Sequence, residues 1–237
     1  MKFTVCIPMY NESAIIADTA AKLSAYMGEN FEDYEIIFSD DGSKDGSADI
    51  VRSLSLPNVR VIGYPDNRGK GSAVREAMLA SEGDAVMFTD SDLAYGTDVI
   101  KKVADAFVEN PECDLVIGSR NLDKDGYDGY TLVRRVASKC YIGVLKLIGG
   151  LKITDSQCGC KAFSGKAAKR VFSNCTVNRF AFDFEAILIA EKCGYKIKEI
   201  PVKVINHGDS KVNVLRDSFK MIRDILKMKK RIKKLDV

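Results

Sequence analysis

The sequence predicts an α/β fold, a doubly wound and mostly parallel sheet flanked by helices, on two observations. Short β-rich runs alternate with helical patterns through the first half of the chain, and polar clusters follow these runs. Residues 3–8 (Phe-Thr-Val-Cys-Ile-Pro) form the first strand, ended by a proline that has no N–H for the ladder. The polar turn Tyr10-Asn11-Glu12 leads into a helical pattern over 13–27. The cycle repeats with a strand at 35–38, the turn Asp40-Asp41-Gly42-Ser43 and a helix over 46–54, then a strand at 59–62 and a helix over 71–80. Residues 85–88 and 115–117 are apolar runs of the kind a strand buried on both faces shows. The second half is less regular: helical stretches at 132–147 and 183–192, a strand-like run at 196–205, and a terminal helix. There is no internal repeat and no low-complexity linker.

Composition narrows the class. A chain of 237 residues can bury a substantial single core, and 46% hydrophobic and 29% charged residues with five prolines exclude a disordered or collagen-like protein. The seven cysteines are scattered and odd in number, and no signal-peptide pattern opens the chain, so the expectation is a reducing cytosol without a disulfide framework. Cys158-Gly159-Cys160 has neither a second pair nor a nearby histidine to complete a zinc set. The net charge of +3 conceals an asymmetry. Residues 216–234 carry nine Lys or Arg against two Asp, a local +7 that leaves −4 for the rest. Such a basic tail suits a polyanion, either a membrane surface or nucleic acid, while no apolar run reaches the 18 residues of a membrane span.

In a sheet of this kind ligands bind beyond the carboxyl ends of the strands, so Tyr10-Asn11-Glu12, Asp40-Asp41, Asp90-Ser91-Asp92 and Gly118-Ser119-Arg120 should converge on one crevice. The two carboxylates of Asp90-Ser91-Asp92 are spaced to reach one ion, and hard oxygens suit Mg²⁺ or Mn²⁺ bridging a diphosphate. Alone, the pair also reads as a solvated acidic turn or helix cap. Asp40-Asp41-Gly42-Ser43 offers carboxylates to a base or ribose and equally an Asx-type turn. Asn67-Arg68-Gly69-Lys70-Gly71 puts two glycines and two cations at a helix start, an arrangement that approaches phosphate. It is not a P-loop, and no G-x-G-x-x-G follows the first strand.

Taken together, Pro8-x-Tyr10-Asn11-Glu12, Asp40-Asp41-Gly42-Ser43, Asn67-x-Gly69-Lys70-Gly71 and Asp90-x-Asp92 resemble the landmarks of metal-dependent family 2 glycosyltransferases of the GT-A fold. The resemblance continues through Gly118-Ser119-Arg120, residues 155–163 (Asp-Ser-Gln-Cys-Gly-Cys-Lys-Ala-Phe), Phe182-Asp183-Phe184-Glu185 and Gly208-Asp209-Ser210-Lys211. The later set is similar to the polyprenyl-phosphate sugar synthases, and to the dolichyl-phosphate glucosyltransferase branch in particular.

That resemblance implies a GT-A catalytic domain over 1–212, with a donor half to about 118 and an acceptor half from about 119, and a basic amphipathic helical tail over 213–237. It implies that Pro8, Tyr10, Glu12 and Asp40 hold the nucleoside, that Asn11 and Lys70 also belong to the nucleotide-sugar site, that Asp90 and Asp92 hold Mg²⁺ or Mn²⁺ and the diphosphate, and that Lys211, with His207 beside it, meets donor phosphate. Arg120 and Arg134, the latter in preference to Arg135, match arginines that grip a lipid phosphate. The catalytic set is then Asp92, Arg120 and Arg134.

The implied reaction moves a hexose, first of all glucose from UDP-glucose, to a polyprenyl phosphate with inversion. A phosphate monoester is largely dianionic at neutral pH and attacks without a dedicated base. A sugar-hydroxyl acceptor is the alternative and would require a base such as Asp92 or Glu185; a catalytically inactive scaffold is a remoter one. Leu215, Phe219, Ile222, Leu226 and Ile225, Met228, Ile232, Leu235 recur at helical steps, giving a stripe that lies in a membrane interface or packs on the catalytic domain. A second stretch, Val136, Cys140, Tyr141, Val144, Leu145 and Ile148, reads as acceptor groove or as core. The expected placement is cytoplasmic and peripheral, on the cytosolic membrane face. Nucleic acid is not an expected partner, because aromatics are not interleaved with the basic residues of the tail.

Overall fold

The computed structural model describes residues 1–127, 143, 150, 152–179, 181–205 and 227–236. Seven strands form one sheet: β1 (Phe3–Met9), β2 (Tyr34–Asp40), β3 (Val59–Gly63), β4 (Ala85–Phe88), β5 (Leu115–Ser119), β6 (Lys161–Ser164) and β7 (Ile197–Pro201). Their spatial order is β3-β2-β1-β4-β6-β5-β7. The pairs β1–β2, β1–β4, β2–β3 and β5–β7 are parallel, while β6 runs antiparallel to both β4 and β5.

Six helices are described in the main body: α1 (Ile16–Asn30), α2 (Ser47–Ser53), α3 (Lys70–Ala80), α4 (Asp98–Glu109), α5 (Gly165–Phe172) and α6 (Phe182–Lys192). A further helix spans 227–233. Alternation along the central strands explains the layers. Cys6, Ile37, Val86, Phe88, Leu115, Ile117 and Phe163 face the core shared with α3, α5 and α6. Val5, Ile7, Ile36, Phe38, Ala85, Met87 and Val116 face the core shared with α1 and α4. Helix α1 lays Ile16, Ala20, Leu23 and Met27 on the sheet at steps of three and four. All nine residues from Phe182 to Ala190 of α6 are buried, the mark of a helix covered on every side.

Two helices and one strand are additions to the expected pattern. The stripe Val99, Ile100, Val103, Ala104, Phe107 folds as α4, and β6 and α5 follow one another directly. The first helix starts at Ile16 rather than near 13, because residues 12–15 make a turn in which the Glu12 carbonyl accepts from Ile15 and Ile16 N–H. The strand-like run at 196–205 is cut to Ile197–Pro201, its last residue a proline. The stretch 132–147 and the first part of the terminal helix lie outside the described residues, apart from 143.

The antiparallel β6 positions the site. Its chain leaves the sheet at the carboxyl end of β5 and re-enters at the same edge, so the start of β6 lies beside the ends of β4 and β5. Residues 155–161 are thereby brought to the crevice where Asp90 and Arg120 sit.

Candidate active site

At the end of β1, Asn11 takes a left-handed backbone (φ 52°), which asparagine tolerates better than most residues. Its N–H donates to Ser43 Oγ at 2.9 Å and its side-chain oxygen accepts from Lys44 N–H at 2.9 Å, while Glu12 N–H donates to Ser47 Oγ. The turns after β1 and β2 are thus tied together, with Tyr10 exposed beside them. Pro8 lies in register with Ser39, one residue before Asp40. Asp40 accepts from Ser43 N–H at 3.1 Å and borders a cleft of about 480 Å³ that Ser43, Lys44, Tyr64 and Pro65 also line.

Asp41 has a different job. It is buried and accepts from Tyr64 hydroxyl (2.6 Å), Asn67 amide (2.8 Å), Arg68 N–H (2.8 Å) and Gly69 N–H (2.9 Å). These bonds shape the loop that delivers Lys70 at the start of α3. Burial and Asp41 also push the Tyr64 hydroxyl pKa well above its ordinary range.

Asp90-Ser91-Asp92 follows β4. The Lys70 ammonium pairs with the Asp90 carboxylate. Burial opposes the Lys70 charge, yet Asp90, with Asp183 behind it, holds that pKa above the usual lysine value. Asp92 is raised above the ordinary carboxyl range by burial and then by Asp90, while its Oδ1 accepts from Ala94 N–H at 3.0 Å. The turn is fixed from two sides. Thr19 of α1 donates to the Ser91 carbonyl at 2.7 Å, and Leu93 adopts φ 47°, a left-handed conformation that costs a leucine roughly 1–2 kcal/mol. Gly159 backs onto Asp90 so closely that a methyl group there would collide with the carboxylate.

Two residues not singled out as site members extend the charges inward. Lys161, the first residue of β6, is fully buried, with its ammonium 3.2 Å from Asp183 Oδ1 and 5.7 Å from the Phe88 ring. Burial raises the Asp183 pKa, and Lys161 and Lys70 pull it back. The result is an alternating row, Asp90, Lys70, Asp183, Lys161. The resemblance had picked out the segments holding Lys161 and Asp183, but their pairing across 22 residues has no local signal.

At the end of β5, Arg120 is buried and forms a two-pronged ion pair with Asp155, Nε to Oδ2 at 2.7 Å and Nη2 to Oδ1 at 2.9 Å, with its guanidinium 5.4 Å from the Tyr127 ring centre. The pair lowers the Asp155 pKa against the effect of burial. Glu199 of β7 anchors the same strand end by accepting from Thr154 N–H, Thr154 hydroxyl and Asp155 N–H. The structure therefore brings Pro8, Tyr10, Asn11, Glu12, Asp40, Lys70, Asp90, Asp92 and Arg120 to the carboxyl ends of β1, β2, β4 and β5. Arg134, His207 and Lys211 lie outside the described residues. Among the described residues no group of three or more His, Cys, Asp or Glu is placed to enclose a metal.

Comparison with known proteins agrees with this geometry. Residues 4–172 match the family described as glycosyl transferase family 2. A dolichyl-phosphate beta-glucosyltransferase of Trichomonas vaginalis is 34% identical over 89% of this chain, and one of Dictyostelium discoideum is 30% identical over 95%. The chain spans 66% and 73% of the lengths of these two relatives. Among solved structures, the fold is shared with glucosyl-3-phosphoglycerate synthase of Mycobacterium tuberculosis in complex with Mn²⁺, UDP-glucose and phosphoglyceric acid (TM-score 0.70, 19% identity, 98% of this chain and 79% of that one). It is shared equally with mannosyl-3-phosphoglycerate synthase of Rubrobacter xylanophilus (TM-score 0.69, 18% identity, 100% and 76%). With the ordered motifs at the strand ends, the sheet order and the match over most of its length, this chain belongs to glycosyl transferase family 2 and has the GT-A fold.

Proposed function

We propose that this glycosyltransferase moves glucose from UDP-glucose to a polyprenyl phosphate, with Mg²⁺ or Mn²⁺ held by Asp90 and Asp92. The observation that carries the donor end is the pairing of Lys70 with Asp90 beside Asp92 at the end of β4. Two crowded carboxylates, Asp92 raised by burial and then by Asp90, suit a hard cation of the kind that completes its shell with diphosphate oxygens. When bound, such an ion stabilises the charge collecting on the departing nucleoside diphosphate. The lipid acceptor is supported by the likeness to relatives named as dolichyl-phosphate beta-glucosyltransferases.

In this reading Pro8, Tyr10, Asn11, Glu12 and Asp40 hold the nucleoside, and Lys70 exchanges Asp90 for donor phosphate, joined by Lys211. Arg120 and Arg134 align the acceptor phosphate by charge-assisted contacts. A phosphate oxygen of the lipid bonds to the anomeric carbon as the bond from that carbon to the diphosphate oxygen breaks. UDP leaves on the opposite face, and the configuration inverts. Asp155 holds Arg120 in one orientation.

The basic segment 216–234 supports a position at the cytosolic membrane face, where anionic headgroups would attract it. Of its stripe, Met228 and Ile232 are buried against the catalytic domain, so the described end of the tail offers its charges rather than these side chains to a surface. Among the described residues no helix is long and apolar enough to cross a membrane.

One observation favours a second reading, transfer to a sugar hydroxyl: Arg120 is already neutralised by Asp155. Radiolabelled nucleotide-sugars offered with polyprenyl phosphate or with glycan acceptors, with and without Mn²⁺, separate the two. Label extracted with the lipid supports our proposal; label only in the glycan fraction, or on no lipid phosphate, refutes it.

A further inference from the structure

The helix over 227–233 and the donor site are joined by a continuous set of contacts. Glu185 of α6 is fully buried, and its oxygens accept from Thr176 N–H (2.8 Å), Val177 N–H (2.8 Å), Thr176 hydroxyl (3.0 Å) and the Arg231 guanidinium (2.6 Å). Arg231 is carried on a helix that is itself docked. Met228 and Ile232 enter the same core as α6, and Lys192 at the end of α6 donates to the Ile232 and Lys233 carbonyls at 2.7 and 2.9 Å.

The segment that Glu185 clamps is the one on which the Lys70 turn rests. Ser72 N–H donates to the Asn178 carbonyl at 3.3 Å, and a methyl group at Gly69 or Gly71 would run into the carbonyls of Asn178 and Val177. Lys70 lies between those two glycines. Its ammonium is therefore referenced, through the 176–178 backbone and Glu185, to a cation on the C-terminal helix.

We propose that Arg231, acting through Glu185, is a positioning residue for the donor site, fixing the turn that aims Lys70 at Asp90. The proposal rests on reading Lys70 as a ligand of the donor diphosphate. Removing the Arg231 guanidinium leaves the buried Glu185 carboxylate without its cation, and a buried charge left unpaired relaxes by drawing in water. Its hold on Thr176 and Val177 loosens, and Lys70 must then be ordered when nucleotide binds, which weakens affinity. A cavity of about 310 Å³ lined by Thr176, Asn178, Arg179 and Lys227 borders the pair, so water can replace a truncated side chain at 231 while the fold is kept.

The test is a double-mutant cycle read by calorimetric titration of UDP with Mn²⁺ into the whole chain. Arg231→Met is expected to weaken binding about three- to tenfold in the wild-type background and less than about twofold when Lys70 is already Met, the non-additivity of residues acting through one another. No weakening in the wild-type background, or the same factor in both, overturns the proposal. Where Lys70→Met binds too weakly to titrate, hydrogen exchange of the amides of residues 69–73 in the ligand-free protein decides. Faster exchange in Arg231→Met supports the coupling, and unchanged exchange overturns it. Because exchange needs no ligand, it also decides if the wild-type chain prefers another nucleotide, a result that would count against UDP as the donor and not against this coupling.

Discussion

Asp40-Asp41 and Asp90-Ser91-Asp92 are both acidic pairs placed at the carboxyl end of a strand, and they differ in what surrounds the carboxylates. Asp41 is saturated by a hydroxyl, a side-chain amide and two backbone N–H groups of one loop. Asp90 instead faces the end of a long flexible lysine, and Asp92 sits close by with its proton affinity raised. Backbone donors cannot leave a carboxylate without unmaking the loop, whereas an ammonium on a four-carbon stem can give way to another cation. Asp41 is thus suited to building the site and the Asp90-Asp92 pair to exchanging partners within it.

Substitutions at the two pairs should separate these roles. Asp92→Asn is expected to lower sugar transfer about 10²- to 10³-fold, the scale of losing one electrostatic partner of a transition state, with an unchanged thermal midpoint. A fully active variant would break the contrast at its functional end. Asp41→Asn should show the reverse emphasis, a stability loss of about 1.5–3 kcal/mol in urea unfolding, since it weakens charge-assisted bonds to fixed donors; a midpoint equal to wild type would show that the loop does not depend on that charge.

Lys70→Met tests the exchangeable partner itself. UDP affinity should fall about tenfold, equivalent to about 1.4 kcal/mol, and titration of the purified variant measures it. The smallest expected signal concerns the segment backing Asp90. Burial and then Asp155 push the Cys158 thiol up to about 11, so iodoacetamide at pH 8 should leave it unlabelled in the native protein and label it after unfolding, as mass spectrometry would report. Labelling of the folded chain would mean that this segment opens and that Asp90 is not rigidly backed.

Much of the fold was legible because the chain alternates strand and helix with clean periodicity from Phe3 to Ala80, and each strand end announces itself with polar residues. Helix α4 was legible too, in the spacing of Val99, Ile100, Val103 and Phe107. Strand β6 was harder: four residues long, opening with a lysine, it has no pattern of its own and is held by antiparallel pairing with β4 on one side and β5 on the other. At the site, motif order pointed to Lys70 and Asp90, but their direct pairing did not follow from spacing. Arg120 with Asp155 and Lys161 with Asp183 are tertiary pairs, formed between elements that meet only once the sheet is assembled.

The position of β6 also bears on how the protein is made. Among the described residues β5 pairs with β6 and β7 alone, both later in the chain, so when residues 1–119 have left the ribosome β4 presents an open edge and β5 lacks these two neighbours. Unpaired apolar strands are templates for association with other chains. The nascent protein therefore passes through a vulnerable interval that ends when residues 161–164 emerge and stitch the two parts of the sheet together. Slowing elongation between codons 120 and 160 should lengthen that interval and lower the soluble yield, with no change to any residue of the finished enzyme.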